Sequence, residues 1–272
     1  MPYPSAVKGN PKIIFFTDFD GTITLQDSND YLTDNLGLGQ KRRKQLNKEV
    51  LEGVSTFRDT FQDMLDSVST PFPECIKYLC DNVKLDPHFK GFYQWARENG
   101  VPVIVLSSGM EPIIRSLLTN LIGPDADAIE IISNDVVDRP GKSKDQEGGW
   151  TIQFHDDSGF GHDKSLAIRP YAKHFADRPE ESRPTMLYAG DGISDLSAAS
   201  ETDLLFAKKG LDLVTYCERE GVPFTIFESW KSIFEASKDL FEGKTTIEKL
   251  TAQGVEEAQQ TMSGMNGVKT TK

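Results

Sequence analysis

Short, continuous apolar runs recur along the chain, and each predicts a strand that is buried on both faces. Such runs, bounded by polar turn residues, are typical of parallel strands that helices cover on both sides. Segments with helical periodicity separate several of the runs, so the sequence predicts an α/β fold built on a parallel sheet. The runs are Ile13–Phe16, Val101–Leu106, Met186–Ala189, Leu204–Ala207 and, as a further candidate, Val222–Phe227.

The stretch between the first two predicted strands has helical periodicity throughout. An apolar stripe with helical spacing follows Ser55, a good N-cap residue, and Pro73 suits the first turn of another short helix. Units of the βαβ type require strands between helices, so we expect residues 27–85 to form a helical cap inserted after the first strand. Residues 1–26 and 86–242 then form the core.

Two further segments differ from the predicted core. In residues from about 130 to 156, alternating apolar residues flank the polar stretch Asp138–Gly149, which predicts a small β-hairpin excursion. From Gly243 onward the chain is polar and rich in Thr, Gln and Gly. We therefore expect residues 243–272 to be a frayed helix followed by a disordered tail.

The net charge limits the classes of partner. The chain has 272 residues, 38% of them hydrophobic, and a formal net charge of −12 at pH 7. Its size allows a substantial core, whereas its negative charge would repel nucleic acids and acidic membranes. We therefore expect a small-molecule partner and no nucleic acid, and an anionic substrate would need local positive charge.

The sequence favours a cytoplasmic location. It contains no apolar stretch long enough to span a bilayer, and Met1–Asn10 lacks the apolar core of a signal peptide. The three cysteines, Cys75, Cys80 and Cys217, form neither a disulfide framework nor a zinc-binding spacing. Idle or buried thiols are the expected result.

The first predicted strand ends abruptly in two acids. Asp18 and Asp20 follow the run Ile13–Phe16 and stand just before Gly21. Ligands of open α/β sheets bind at the carboxyl ends of the strands, where these two side chains would emerge. The alternative is that Asp18 caps a turn and that Asp20 and Gly21 only form it.

Polar groups also follow two other predicted strands. Ser107–Gly109 ends the second strand, and Asp191 and Asp195 follow the third. Because parallel strands deliver their carboxyl ends to one edge of a sheet, we expect these groups to converge with Asp18 and Asp20. Several carboxylates repel one another unless a cation neutralises them, and carboxylate oxygens suit Mg²⁺. The pattern therefore predicts a magnesium site.

These residue types suit phosphoryl transfer. Asp18 is the expected nucleophile, because an aspartyl phosphate divides a difficult transfer into two easier steps. Asp20 would protonate the leaving alcohol and then take a proton from the hydrolytic water. Lys164 would neutralise phosphate oxygens, although alone it is equally compatible with a surface lysine. The candidate phosphate-binding residues are Thr22, Ser107, Ser108, Gly109 and Lys164.

The motifs together resemble the haloacid dehalogenase (HAD) superfamily of phosphatases. Their order along the chain and their coverage of most of it make the resemblance specific. The matching segments are Asp18–Thr22 for the first motif, Ser107 after an apolar strand for the second, Lys164 for the third and Gly190–Asp195 for the fourth.

The resemblance implies a Rossmann-like core and dependence on Mg²⁺. It implies that Asp18 is the nucleophile and that Asp20 is the acid and base. It also implies that Asp18, the carbonyl group of Asp20 and Asp191 contact the metal, with Asp195 in support.

The helical insertion resembles the cap of the phosphoserine phosphatase-like branch, and the segments Thr17–Leu32 and Gly190–Thr215 resemble a fungal group within that branch. In phosphoserine phosphatases, an acid after the first motif holds the substrate amine and a cap arginine holds its carboxylate. Asp27 and Arg58 are the nearest matches, although Asp27 is also a helix cap and Arg58 also fits an ordinary surface charge. The predicted hairpin departs from the compact serine-specific enzymes.

The function expected from the sequence is Mg²⁺-dependent hydrolysis of a small polar phosphomonoester, such as an amino-acid, polyol or sugar phosphate. One alternative is a phosphotransferase or mutase of the same superfamily. Another is a non-catalytic protein that binds a phosphorylated metabolite, since fold alone does not fix function. The sequence does not define an oligomeric state.

Overall fold

The computed structural model describes Val7 and residues 9–267. The described residues form seven strands and eleven α-helices, together with three short 3₁₀ segments. The strands are β1 (Ile13–Thr17), β2 (Val103–Met110), β3 (Glu130–Asp138), β4 (Trp150–Gln153), β5 (Thr185–Gly190), β6 (Leu204–Lys208) and β7 (Phe224–Phe227). The helices are α1 (Ser28–Leu36), α2 (Gln40–Leu51), α3 (Phe57–Asp66), α4 (Phe72–Asn82), α5 (His88–Glu98), α6 (Glu111–Ile122), α7 (Lys164–Phe175), α8 (Leu196–Ala199), α9 (Asp212–Glu220), α10 (Trp230–Phe241) and α11 (Ile247–Gly267).

The chain divides into two compact units. The first unit comprises the described residues up to Asp18, then Pro87–Val103 and the chain from Ile168 onward. The second unit comprises Phe19–Asp86 and Ile104–Ala167. The chain therefore crosses from one unit to the other directly after Asp18.

The first unit contains four parallel strands in the order β1, β5, β6, β7. Phe15 of β1 lies opposite Leu187 of β5, and Leu205 of β6 lies opposite Phe224 of β7. All five residues of β1 are buried, as continuous apolar runs in parallel strands predict. The α/β fold expected from the sequence is confirmed.

Aromatic side chains form the centre of the first unit. The ring of Phe15 lies 4.8 Å from that of Phe92 on α5 and 5.7 Å from that of Trp230 on α10, measured between centroids. On the same strand face, Phe15 stacks with Phe206 of β6 at 5.8 Å. Rings at such separations pack favourably beyond the area that they bury, and they hold α5 and α10 against the strands.

Helix α11 lies in the segment for which a frayed helix and a disordered tail were predicted. Leu250 and Ala258 are buried, and Gly254 lies between them on the same helix face. A Cβ atom on Gly254 would lie 2.3 Å from the carbonyl oxygen of Phe224, so only glycine allows this approach to β7. Helix α11 thus packs at Leu250, Gly254 and Ala258, and residues 268–272 lie outside the described residues.

The second unit contains β2, β3 and β4. The first half of β3 is parallel to β2, with Ile131 opposite Val105, and its second half pairs with β4 as the predicted hairpin. Ser107 pairs with Ser133 and Met110 pairs with Asn134, so two residues of β2 between these pairs have no partner in β3. This bulge lies at the serine-rich end of the strand, a place where bulges often redirect side chains near active sites.

The helical insertion closes on itself at its base. Thr24 and Leu85 form an antiparallel bridge. The N–H of Leu25 donates to the carbonyl of Lys84 at 2.8 Å, and the N–H of Asp86 donates to the carbonyl of Ile23 at 2.8 Å. The two ends of the stretch that carries α1–α4 therefore lie side by side, as expected for an insertion.

Side chains and backbone groups connect the insertion to the β3–β4 hairpin. The indole N–H of Trp150 donates to the carbonyl of Thr70 at 2.9 Å, and the N–H of Phe72 donates to the carbonyl of Lys144 at 2.8 Å. These contacts explain why α1–α4 and β2–β4 belong to one compact unit.

The described residues give two further results. Cys75, Cys80 and Cys217 are free thiols, as expected from their spacing. Over the described range, every helix is too short or too polar to cross a lipid bilayer.

Candidate active site

Three acids come together in the first unit. Asp18 directly follows β1, and Asp191 and Asp195 follow β5, the strand beside it. One carboxylate oxygen from each residue lies within 4.8 Å of the others. Asp18 is 7% exposed and Asp195 is fully buried. The predicted convergence of these three carboxylates is therefore present, and we call them the acidic cluster.

Asp195 organises the loop that carries Asp191. Its Oδ1 accepts a hydrogen bond from the hydroxyl of Tyr188 at 2.5 Å, and its Oδ2 accepts from the N–H groups of Asp191 and Gly192 at 2.9 Å each. A Cβ atom on Gly190 would lie 2.5 Å from the Asp195 carboxyl carbon. Glycine at position 190 therefore lets the carboxylate lie directly against the backbone.

Tyr188 is a further residue of the site that no sequence motif marks. Burial, and then the negative charges of Asp195 and Asp18, raise the pKa of Tyr188 well above its ordinary value, so the phenol remains a donor. A signal was available, because a tyrosine inside a buried apolar strand needs a partner for its hydroxyl. The nearest acids in the sequence are those of the loop after the same strand.

The acidic cluster fits a Mg²⁺ ion by its donor set. Carboxylate oxygens are hard ligands, and close negative charges need a cation to offset their repulsion. Both oxygens of Asp195 accept hydrogen bonds that hold the loop carrying Asp191. Asp18, Asp191 and Asp195 are the residues of the cluster that could hold the ion.

We expect Tyr188→Phe to weaken Mg²⁺ binding about tenfold, a usual effect of losing a group that orients a ligand residue. The variant keeps the ring but removes the hydrogen bond to Asp195. The measurement is the Mg²⁺ concentration that gives half of the metal-dependent rise in melting temperature, with Tyr216→Phe on α9 as the control. An unchanged midpoint in Tyr188→Phe would contradict this role.

Asp20 lies in the second unit, against the start of α1. Its Oδ1 accepts a hydrogen bond from the N–H of Ser28 at 2.7 Å, and its Oδ2 accepts from the side-chain amide of Asn29 at 2.9 Å. Asp20 is 8% exposed. A helix N-terminus favours a carboxylate, so α1 both orients and stabilises this acid. No sequence motif marks Asn29 as the partner of Asp20.

The bulge of β2 brings backbone close to Asp20. The N–H of Gly109 donates to the hydroxyl of Ser107 at 3.0 Å. A Cβ atom on Gly109 would lie 3.0 Å from Asp20 Oδ2 and 3.2 Å from Ser107 Oγ. Asn134 donates to the carbonyl of Ser108 at 2.7 Å and supports the bulge from β3. The structure therefore places Asp20, Ser107 and Gly109 together.

Lys164 is the first residue of α7, and only 1% of it is exposed, which excludes the alternative of a surface lysine. The neighbouring His162 is also 1% exposed. Burial, and then the positive charge of Lys164, lower the pKa of His162 to about 3. The imidazole therefore stays neutral near the lysine at neutral pH. Thr22, another predicted phosphate ligand, is buried at 2% exposure.

The two residues predicted to contact the substrate have structural partners. Asp27 caps α1, because its Oδ1 accepts the N–H of Asp30 at 2.8 Å. Arg58 donates through Nη1 to the carbonyl of Asp156 at 2.6 Å and to that of Ser158 at 3.3 Å. Its guanidinium also lies over the ring of Phe154, 4.2 Å from the centroid. These contacts connect Arg58 to a loop of its own unit.

Sequence comparison identifies two similar proteins from yeasts. The chain is 53% identical over 231 residues to Pdp3-interacting factor 1 of Schizosaccharomyces pombe, which covers 85% of this chain and 96% of that protein. It is 50% identical over 242 residues to polyol phosphate phosphatase PYP1 of Saccharomyces cerevisiae, which covers 88% of this chain and 98% of that protein.

The fold is similar to a solved structure described as a phospho-aspartyl intermediate analogue of phosphoserine phosphatase, with a TM-score of 0.60. That similarity covers 83% of this chain and 99% of the other at 17% sequence identity. Residues 15–200 match the family described as haloacid dehalogenase-like hydrolase. This match spans more than half of the 272 residues, so the chain belongs to the haloacid dehalogenase-like hydrolase family.

Proposed function

We propose that this hydrolase removes phosphate from a small polyol phosphate, with Mg²⁺ bound and with Asp18 as the nucleophile. That it is a phosphoric monoester hydrolase follows from its family and from its 50% identity to a polyol phosphate phosphatase. The observation that carries the proposed chemistry is the acidic cluster, in which three carboxylate oxygens lie within 4.8 Å of one another.

Asp18 and Asp20 divide the chemistry between them. The Asp18 carboxylate attacks phosphorus, and the bond from phosphorus to the substrate oxygen breaks. Asp20 enters the first step protonated, gives its proton to that leaving oxygen, and as a carboxylate then takes a proton from the water that hydrolyses the aspartyl phosphate. The hydrogen bonds from Ser28 and Asn29, at 2.7 and 2.9 Å, support this role because they fix the Asp20 carboxylate in one orientation.

The remaining motif residues hold the phosphate. Lys164 offsets its negative charge, and the bulge of β2 supplies hydroxyl and N–H groups beside Asp20. Mg²⁺, when bound by Asp18, Asp191 and the carbonyl group of Asp20, with Asp195 in support, supplies further positive charge for the phosphate. The phosphate-binding residues in this proposal are Thr22, Ser107, Ser108, Gly109 and Lys164.

Residues 27–85 act as a cap in this proposal. The antiparallel bridge between Thr24 and Leu85 supports an insertion with both ends at one place. A cap that closes during turnover excludes water and selects the leaving group. Asp27 caps α1 at the start of this segment, so the selectivity for the substrate would depend on the cap.

The yeast relative and the contacts of Arg58 both support a polyol phosphate as the substrate. A polyol phosphate has hydroxyl groups beyond its phosphate, whereas phosphoserine also has a carboxylate. Arg58, the expected carboxylate ligand, already donates to two backbone carbonyls and stacks on Phe154. Because Arg58 is bound to its own unit in this way, the site favours a substrate without a carboxylate. Asp27, which resemblance matches to the acid that holds a substrate amine, stays a predicted substrate contact.

The net charge and the free cysteines support a cytoplasmic location. A net charge of −12 supports a protein that does not bind nucleic acid or anionic membranes. Three free cysteines suit a reducing compartment, which supports the cytoplasm.

The test is phosphate release from a panel of phosphomonoesters with and without Mg²⁺. The panel contains glycerol and sorbitol phosphates, a hexose phosphate, phosphoserine and an aryl phosphate. We expect kcat/KM for the best polyol phosphate to exceed that for phosphoserine by at least about tenfold, or about 1.4 kcal/mol. A preference for phosphoserine would refute the proposed substrate class. If none of the compounds were hydrolysed, the proposed phosphatase activity would be refuted.

A further inference from the structure

The loop before α7, residues 154–163, has a compact fold of its own. We call it the Lys164 loop, because it ends directly before Lys164. The N–H of Asp156 donates to the carbonyl of Gly161 at 3.1 Å, and the N–H of Gly161 donates to the carbonyl of Ser158 at 2.9 Å. The Asp156 carboxylate accepts the N–H groups of Ser158 at 2.8 Å and of Asp163 at 2.7 Å.

The Asp156 carboxylate is ionised when it accepts the two hydrogen bonds that hold this loop together. Burial alone would raise the pKa of Asp156, but the hydrogen bonds from Ser158 and Asp163 outweigh it and lower the pKa overall. The carboxylate is therefore ionised at neutral pH, where its hydrogen bonds are strongest.

The loop determines where α7 begins. Asp163 accepts the N–H of Ser165 on its Oδ1 at 3.0 Å, and its carbonyl accepts the N–H of Leu166 at 3.0 Å. Asp163 is thus the cap of α7, and Lys164 is the next residue along the chain. If Asp156 moved, it would shift Asp163 through their hydrogen bond, and with it the backbone of the next residue, Lys164.

Arg58 on α3 holds this loop at three points. Its Nη1 donates to the carbonyls of Asp156 and Ser158, and its own backbone N–H donates to the carbonyl of Gly159 at 3.1 Å. Its guanidinium stacks on the ring of Phe154, at the other end of the loop. The same arginine therefore contacts the start and the middle of the loop.

Gly161 shows how closely the loop is packed on that ring. Its φ is +72°, and a Cβ atom there would lie 2.1 Å from Cδ1 of Phe154. The phenyl ring thus packs against both the backbone of Gly161 and the guanidinium of Arg58. Together these contacts leave the loop little freedom around Arg58.

We propose that Arg58 is a positioning residue for Lys164, acting through the Lys164 loop, and that it is not a ligand for a substrate carboxylate. This rests on the proposed function only in that Lys164 must hold the phosphate during transfer. Misplacing a charge-stabilising group by about 1 Å can lower a rate about 100-fold. The loss of Arg58 should therefore lower kcat for every substrate alike.

Arg139 provides a matched control. Its Nε donates to the carbonyl of Trp150 at 2.7 Å, and its Nη2 pairs with the Asp66 carboxylate at 2.7 Å. Its side chain is 32% exposed, against 29% for Arg58. Both arginines connect α3 to another segment of the second unit, but Arg139 holds the β3–β4 hairpin. Arg139→Ala should therefore cost stability without moving Lys164.

The experiment compares Arg58→Ala, Arg58→Lys and Arg139→Ala in the full chain. We expect Arg58→Ala to lower kcat roughly 10- to 50-fold on both a neutral polyol phosphate and phosphoserine, with the ratio of their KM values unchanged. Arg58→Lys should recover part of the rate, because lysine can still donate to a carbonyl. Arg139→Ala should stay within about twofold of wild type.

Hydrogen exchange gives a readout that does not depend on activity. The amides of Asp156, Gly161 and Asp163 should exchange faster in Arg58→Ala than in wild type or in Arg139→Ala. A rise in KM confined to phosphoserine would overturn the proposal in favour of a carboxylate ligand. Equal kinetic losses in Arg58→Ala and Arg139→Ala would overturn it in favour of a purely structural role. An inactive wild type would instead be a failure of the proposed function.

Discussion

Asp18→Asn is expected to abolish turnover, with kcat at least about 1,000-fold below wild type. The amide is a poor nucleophile, so no covalent phosphoenzyme forms. It also removes one negative charge from a cluster in which three carboxylate oxygens lie within 4.8 Å of one another, so Mg²⁺ should bind more weakly. The fold should remain, because the variant keeps the size of the side chain and relieves repulsion between buried acids.

The measurement is phosphate release from an aryl phosphate at saturating Mg²⁺, with the circular dichroism spectrum as the check on folding. Asp203→Asn is the matched control, because Asp203 belongs to the same unit and its carboxylate accepts the N–H of Met186 at 2.7 Å outside the acidic cluster. Beryllium fluoride should form an adduct on Asp18 in wild type and none in Asp18→Asn. Undiminished turnover in Asp18→Asn would rule out this nucleophile.

The sequence was sufficient to predict the apolar centres of β1, β5, β6 and β7 and the acids that follow β1 and β5, whereas β2 continues through Ser107 and Ser108 to Met110. A strand covered by helices on both faces is apolar along most of its length, so an acid marks where it ends. Asp18 and Asp191 stand at such ends. Neighbouring parallel strands then bring the two acids together whatever the sequence between them, which is why the acidic cluster was predictable.

The partners of these acids were not predictable in the same way. Asn29 reaches Asp20 from the next helix, and Arg58 reaches Asp156 across 98 residues of sequence. No periodic pattern marks such pairs, because they depend on how separate elements pack. Resemblance made Arg58 a candidate substrate ligand, and its hydrogen bonds to the Lys164 loop were not visible in the sequence.

Helix α11 illustrates a different limit. Its polar composition suggested a frayed helix followed by a disordered tail. In the fold, Leu250, Gly254 and Ala258 form one face at a spacing of four, and glycine is needed for contact with β7. This spacing of four is present in the sequence. Three small or apolar residues among many polar ones are too weak a signal to predict a packed helix.

Asp20→Asn should separate the two chemical steps. For alkyl phosphates, whose leaving groups need a proton, we expect kcat to fall about 100- to 1,000-fold. For an aryl phosphate with a good leaving group, the first step should proceed and the second should not. Asparagine cannot take a proton from the hydrolytic water, so a burst of the phenol equal to the enzyme concentration should be followed by slow turnover, as the aspartyl phosphate accumulates.

Asn29→Ala is the control that keeps the carboxylate. In Asp20→Asn, the oxygen of the new amide can still accept the N–H of Ser28. Its nitrogen would face the side-chain amide of Asn29, which in the wild type donates to Asp20 Oδ2 at 2.9 Å. Some loss could therefore come from misorientation rather than from missing proton transfer. Asn29→Ala disturbs orientation alone and should lower both substrates similarly, by less than about tenfold. Unchanged alkyl phosphate hydrolysis in Asp20→Asn would refute the role of Asp20 in proton transfer. If the rate depends on the leaving group in Asp20→Asn but not in Asn29→Ala, the contribution of Asp20 is proton transfer and not orientation.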